Sequence, residues 1–491
     1  MQPLPTPKNG TNTLQTPIIP IAQGFAPAVR ADWLALVERT IKGADFSTLI
    51  GRTADGLAIA PLYAADDAAQ PAAFSPAPRG GAHAWDVRAM VRAASPAQAN
   101  RQALTALAGG ASSVLLAIDP TGAHGVAAGS AEDVAAALSG VMLDLAPVAL
   151  DAGFLGSACA AWLGAAAKAS PSAPLAFHSD PISAFAVAGA SPGPIAAHVV
   201  ASAAATAPLA QTYPKASLFL ASGAVVHEAG GSAALELGFA AAAAVAYAQA
   251  LVGVGMDRRE AFARIVVGLS VDHEPLTSIA KLRAARVIWR RITSACEAET
   301  AARIETRSSN RMLTRADPWS NLVRLTASGF ASAAGGADAV ALGCFSDAAG
   351  EPDELALRMA RNAQLILMEE AHVGAVIDPA AGAWSFETLT ADLAHAAWDA
   401  FTAIEAAGGV ISALTSGMIA DKVAAQRAAL AATVSDGRRK IVGVTDFKSA
   451  EPSAKIAARQ AHSAHGPDIS QPGADSVCPA LKPVRLEEMA P

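Results

Sequence analysis

The sequence predicts an α/β fold: a closed (β/α)₈ barrel of the TIM type with an extended N-terminal arm and a short C-terminal tail. From about residue 82 to residue 407, short apolar runs alternate with long alanine-rich helical stretches, as the strands and crossover helices of a parallel sheet require. So many units in roughly 330 residues favour closure over an open doubly wound sheet, and no Gly-x-Gly-x-x-Gly follows a strand. Of the 491 residues 52% are hydrophobic and only 16% charged, which excludes disorder throughout and permits a large core.

Residues 1–81 read as an arm with a helical segment. Up to residue 30 the arm is rich in Pro, Thr, Asn and Gln without periodicity, the composition of a segment that gains order only against something else. Trp33, Leu34 and Val37 then recur at helical spacing. A Pro/Ala/Asp-rich connection from Ala64 to Gly81 leads into the barrel, residues 82–410. Its candidate strands are Ser113 to Ile118, Val141 to Val148, Leu175 to His178, Ser217 to Ser222, Ala339 to Phe345 and Ala375 to Ile377. A helix after Asp317-Pro318-Trp319 should run to Ala334, break at Gly335-Gly336 and feed the Ala339 strand. Another, following Thr390, places Leu393, Ala397, Phe401 and Ile404 on one face and stops at Gly408-Gly409. Residues 411–447 read as a post-barrel helical linker. Residues 448–491 read as a flexible tail with too few apolar side chains for a further folded domain.

Composition excludes several functions. A net charge of −7 with no basic patch argues against nucleic-acid binding. The apolar stretch from Leu237 to Met256 contains Tyr247 and Gln249 and reads as a buried helix, not a membrane span. Pro3, Pro5, Pro7, Lys8 and Asn9 stand where a signal peptide needs a basic start and an apolar run, so a cytoplasmic protein is expected. Cys159, Cys296, Cys344 and Cys478 lack paired spacing, which suggests neither a disulfide framework nor a zinc site.

Candidate chemistry is sparse. His178-Ser179-Asp180 at a strand end offers a general base with an acidic partner, or a polar strand terminus with Asp180 capping the next helix. His227-Glu228 beside Gly230-Gly231 offers an acid/base pair, or a turn that satisfies its own backbone. Asp272-His273-Glu274 precedes Pro275 and reads as a helix start. His462, His465 and Asp468 have a spacing metals use, but a disordered histidine pair accounts for them equally. No nucleophile elbow or phosphate-cradling loop occurs, so these residues alone leave the site open, a hydrolytic barrel included.

Four long blocks narrow the reading: Ile279 to Trp289, Asp317 to Arg324, Ala360 to Glu370, and Val376 to Trp384. In order and spacing they resemble the cobalamin-dependent methylmalonyl-CoA mutase family, with weaker similarity from Trp33 to about Phe447. The resemblance implies a barrel that threads acyl-CoA along its axis while a flavodoxin-like domain holds adenosylcobalamin at the mouth for a radical isomerisation.

Two parts of that equipment can be checked, and both depart from the family. The Asp-x-His-x-x-Gly loop of the cobalamin domain occurs nowhere in the sequence. Catalytic chains have Ile-Gln-Asn-Asp followed by Ala-Arg-Gly, whereas this chain has Phe177-His178-Ser179-Asp180 followed by Val187-Ala188-Gly189. A methyl group at Ala188 cannot fork onto a substrate carboxylate. Where they have Ser-Gly-Tyr-His-Met-Gln-Glu-Ala-Gly, Ala224 replaces the tyrosine and Val225 the thioester-binding histidine, with His227 two places further on. Where they have His-Ser-Gln, this chain has Glu305-Thr306-Arg307, and the segment from Arg79 to Trp85 is shortened.

The Lys42 to Phe46 opening, the His-Glu-Ala-Gly ending at Gly230 and Asp317-Pro318-Trp319 are similar to the family's small (β) subunit. The expectation is therefore a non-catalytic barrel with no catalytic residues of its own. Its degenerate substrate positions are His178, Ala188, Ala224, Val225, Glu305 and Arg307. Its partner is a catalytic large subunit, in a heterodimer, which binds the adenosylcobalamin. The alternative is a catalytic barrel chain of a related acyl-CoA mutase that borrows a separate cobalamin-binding protein.

Overall fold

The computed structural model describes residues 24, 28–67, 84–448 and 476–490. Most of the arm, the Arg79 to His83 segment and the His462/His465/Asp468 group lie outside the described residues. The chain forms two compact units, one up to Gly51 and one from Arg52 onward. In the first, helix α1 (Arg30–Thr40) contains Trp33, whose ring meets Phe46 edge-on at 6.0 Å.

The second unit contains the expected barrel. Eight parallel strands close on themselves: β1 (Asp86–Val91), β2 (Ser113–Ala117), β3 (Val148–Asp151), β4 (Ala176–Ser179), β5 (Ser217–Ser222), β6 (Ile265–Val271), β7 (Ile304–Ser308) and β8 (Ala339–Ala341), with β8 pairing back to β1. Around them run α2 (Pro96–Ala108), α3 (Ala131–Ala137), α4 (Gly156–Ala166), α5 (Pro181–Ala188), α6 (Ile195–Thr212), α7 (Ala224–Glu228) and α8 (Ala233–Gly253). There follow α9 (Arg258–Ala263), α10 (Pro275–Ala295), α11 (Ser320–Ala334), α12 (Glu354–Leu365), α13 (Trp384–Ala406), α14 (Val410–Thr415) and α15 (Met418–Ser435).

Local chemistry sets these boundaries. Ser95 and Gln98 form a reciprocal capping box at α2, with Pro96 at the first helical position. The side chains of Asp180, Ser232, Asp257 and Asp353 each accept a backbone N–H in the first turn of the helix that follows. Helix α8 is apolar on all sides because it is enclosed by β5, β6, α6 and α13. Among the described residues it alone is long and apolar enough to cross a membrane, yet Leu237, Phe239, Tyr247 and Leu251 are buried in the core. Its contact with α13 passes at Gly238, where an added Cβ would lie 2.7 Å from the Cβ of Ala400.

Several sequence-based boundaries need correction. Of the run from Val141 to Val148, only Val148 enters a strand; Met142 and Leu145 are exposed in turns while Leu143 reaches the core. Ala375 to Ile377 is no strand: a 3₁₀ turn covers Val373–Ala375, and Val376 and Ile377 face solvent. The expected strand from Ala339 ends at Ala341. Residues 476–490 fall in the segment expected to be a flexible tail but are bonded to the barrel. The amides of Cys478, Leu481, Val484 and Leu486 donate to the carbonyls of Gly189, Ala186, Glu228 and Arg311. Cys478, Leu481 and Leu486 are buried. This segment therefore runs over elements that follow β4, β5 and β7 at their carboxyl ends.

Candidate functional site

In a closed barrel, alternate strand residues face the lumen. On β1 these are Asp86, Arg88 and Met90, while Val87 and Val91 join the core beneath the helices. Met90 packs with Leu115, Ala149, Ala176 and Ala341 in a separate small apolar cluster. A second set of lumen side chains is ionic. The Arg88 guanidinium donates to Ser113 Oγ at 3.0 Å, to Asp86 Oδ2 at 2.6 Å and to Glu305. The Arg307 Nε donates to Glu305 Oε1 at 3.1 Å, and its Nη1 to Asp151 Oδ2 at 2.5 Å. His178 Nδ1 lies 3.6 Å from Glu305 Oε2. The chain of charge thus extends from the first residue of β1 to the last of β3, with Glu305 enclosed at its centre.

Burial alone would raise the pKa of Glu305, but the guanidinium groups of Arg88 and Arg307 hold it down to about 2. Burial drives His178 down to about 3 against the pull of Glu305, with Arg88 and Arg307 adding to the effect. The imidazole is therefore neutral. Its backbone has φ of 44°, a left-handed conformation unusual for a residue with a side chain, and the β4–β5 register is irregular across it. Burial lowers the pKa of Arg307, but Asp151 and Glu305 outweigh that and keep the guanidinium charged.

Three of the six expected positions, His178, Glu305 and Arg307, are therefore brought together. The others are not among them. Ala188 ends α5 and is exposed, while Ala224 and Val225 open α7 just beyond β5. The two candidate acid/base pairs come apart. Asp180 caps α5 through the Ser183 amide and accepts the Tyr247 hydroxyl, away from the Glu305 that His178 faces. His227 Nε2 meets Ser309 Oγ at 3.0 Å and its Nδ1 lies 3.4 Å from Glu236 Oε2. Glu228 instead accepts from Ser270 Oγ and the Arg311 amide. Asp272 accepts the Glu274 amide at the start of α10 and pairs with Arg311.

Sequence reasoning missed Asp86, Arg88 and Asp151 as lumen partners of Glu305. The alternation of Asp86 and Arg88 with Val87 and Val91 was the available signal. It also missed Glu236, whose carboxylate sits between Lys281 Nζ at 2.6 Å, the Ser270 amide at 2.7 Å and His227. Among the described residues no group of three or more His, Cys, Asp or Glu is arranged to hold a metal ion. The two histidines best enclosed do not suit a lower cobalt ligand. His178 is shut in the lumen among charges, and His227 engages Ser309 and Arg311 through its two ring nitrogens. This arrangement holds charge in place; its central carboxylate is opposed by two guanidinium groups and its imidazole is neutral.

The family model for methylmalonyl-CoA mutase matches residues 77–466. The chain is 38% identical over 454 residues to the methylmalonyl-CoA mutase small subunit of Streptomyces virginiae, covering 87% of this chain and 71% of that one. It is 35% identical over 418 residues to the probable methylmalonyl-CoA mutase small subunit of Mycobacterium tuberculosis (strain ATCC 25618 / H37Rv), covering 81% and 66%. Against the methylmalonyl-CoA mutase of Cereibacter sphaeroides the identity is 32% over 242 residues, 48% of this chain and 34% of the other. The chain thus spans about two thirds of the length of these small subunits.

Proposed function

The chain belongs to the methylmalonyl-CoA mutase family, and on that premise we propose that it is the non-catalytic small subunit of a heterodimeric, cytoplasmic mutase. A large partner subunit binds adenosylcobalamin and the acyl-CoA and interconverts methylmalonyl-CoA and succinyl-CoA. The cofactor supplies the radical; this chain supplies a folded barrel that the partner packs against through the arm and the outer helices. An obligate pairing of this kind buries on the order of 2,000 Å² or more.

The observation that carries this reading is the ionic lumen. Where the family's catalytic chains hold polar groups that grip substrate, Glu305 accepts from both Arg88 and Arg307, and Arg307 in turn pairs with Asp151. A thioester entering this space would have to displace charge pairs already satisfied in a low-dielectric interior. Ala188, Ala224 and Val225 add hydrocarbon at the positions that correspond to a carboxylate clamp and thioester contacts.

The test is co-expression with a longer homologue, size exclusion, and anaerobic assay with adenosylcobalamin. The chain should co-elute with the partner, and turnover should require the partner. Turnover by this chain with only a free cobalamin-binding protein would establish the alternative, a catalytic barrel that borrows its cofactor domain. Failure to co-elute would remove the subunit role.

A further inference from the structure

Helix α11 is apolar on two sides. Leu325, Ser328, Gly329 and Ala331 face inward, where the helix packs on β6, β7 and β8. On the outside, Trp319, Val323, Thr326 and Phe330 follow one another at steps of four, three and four, which puts them on a single face. That spacing is the seam along which one helix packs on another. All four side chains are exposed, Val323 at 73%.

The chain returns to α11 after α12. A π-helical turn, Ile366–Glu370, brings Leu367 against Gly329, where an added Cβ would lie 3.3 Å from Leu367 Cδ1, and leaves Ile366 exposed. The 3₁₀ turn Val373–Ala375 packs on α11, and Val376 and Ile377 emerge from it into solvent. With Trp319, Val323 and Phe330 these side chains leave on the order of 600 Å² of apolar surface in water, as much as the largest patch on a typical monomer. Scatter does not account for it. Among the described residues every other helix exposes at most one large apolar side chain, as α6 does with Val200 and α10 with Leu276. The area approaches the roughly 800 Å² that each partner gives to a standard interface, with Glu369 and Glu370 exposed at the edge as the start of a polar rim.

We propose that this outer face of α11 seats an apolar helix of the large partner subunit, with basic groups of that subunit toward Glu369 and Glu370; the inference rests on the subunit reading above and gives it a surface. Interface centres are rich in aromatic residues and poor in charge, as this face is. Trp319 is held in advance by its stack on Phe345, ring centroids 4.9 Å apart, so little freedom is lost when its open side is covered. A barrel that pairs with a longer subunit needs one broad apolar face, and among the described helices α11 alone offers it. A second copy of this chain is the competing occupant.

Size exclusion with light scattering, on the full chain alone and co-expressed with the longer homologue, tests it. The wild-type chain should be monomeric alone and should co-elute with the homologue. Val323→Asp/Phe330→Asp should weaken the pairing by at least about a hundredfold and abolish co-elution at micromolar concentration, whereas Val200→Asp, a comparably exposed change on α6, should leave it intact. Circular dichroism checks that each variant is folded, as expected for changes at exposed positions. Undiminished co-elution of the folded double variant, or equal loss with Val200→Asp, overturns the docking face and leaves the subunit reading standing. Wild-type chains that never co-elute overturn the subunit reading and this face with it. A chain that dimerises alone, and becomes monomeric in the double variant, gives the face to a second copy and overturns the occupant proposed.

Discussion

At the scale of single residues, the molecule sorts its buried ionisable groups by the sign of their shift. Glu305 and Glu236 are held charged by cations, both at about 2, and neither titrates near neutrality. Replacing Glu305 by Gln leaves Arg88 and Arg307 enclosed without their shared counter-charge, which should cost about 3–5 kcal/mol; urea denaturation at pH 7 measures it. Asp180 behaves oppositely. Burial raises it to about 7, the Tyr247 hydroxyl and Ser183 offset part of this, and Asp151 adds to it. A carboxyl whose folded pKa lies above its unfolded value binds more protons when folded, so its contribution to stability falls as pH rises from about 4 through 7. Asp180→Asn keeps an acceptor for Tyr247 and Ser183 and removes the titration. The variant's stability relative to wild type should therefore increase between pH 5 and pH 8; parallel pH profiles would contradict the assignment. His178, depressed to about 3, contributes with the other sign: its neutral burial is fully favourable above about pH 6.5 and is lost as acid protonates the unfolded chain.

At the scale of elements, the tightest constraint is the crossing of α8 over α13. An alanine at Gly238 would put its Cβ 2.7 Å from that of Ala400 and 2.9 Å from the Phe401 nitrogen, so one helix must shift. Gly238→Ala should destabilise by about 1–3 kcal/mol. Gly253→Ala, at the exposed end of the same helix with nothing within 4 Å, should be neutral or slightly stabilising. Equal effects in the two variants would show that the close approach does not matter. The same contrast between packing and local pattern explains what could be read from the sequence. Ser113 to Ile118 and Ser217 to Ser222 were legible because those strands are buried apolar runs, and α11 because proline and glycine frame it. β7 was not, because Glu305 and Arg307 interrupt its run, and charge is used there for a reason that appears only when β1, β3 and β4 surround it. Val141 to Val148 misled because an apolar turn covering the core has the composition of a strand. His178, Glu305 and Arg307 could be singled out by resemblance, but their partners come from strands more than 100 positions away in several cases, and no local pattern encodes that.

At the scale of the whole molecule, residues 476–490 connect the carboxyl ends of β4, β5 and β7, the face on which barrel enzymes build their sites. Five backbone hydrogen bonds, the fifth from the Ser191 amide to the Ser476 carbonyl, and the buried Cys478, Leu481 and Leu486 hold the segment there. Two such leucines alone represent about 3–6 kcal/mol of apolar burial, before the entropy of ordering the segment is subtracted. The segment also contributes Glu487, which accepts the Arg315 amide at 2.8 Å beyond β7. Deleting residues 476–491 should therefore lower the melting temperature by several degrees while leaving the far-ultraviolet circular dichroism almost unchanged, because only a short 3₁₀ turn is removed as regular structure. Leu481→Asp in the full chain should reproduce most of the loss, since it places a carboxylate in the apolar core that Leu481 shares, without shortening the chain. If the deletion and Leu481→Asp both melt like the wild type, the segment is only loosely attached. If the deletion melts early and Leu481→Asp does not, the hydrogen bonds rather than the leucine fix it to the barrel mouth.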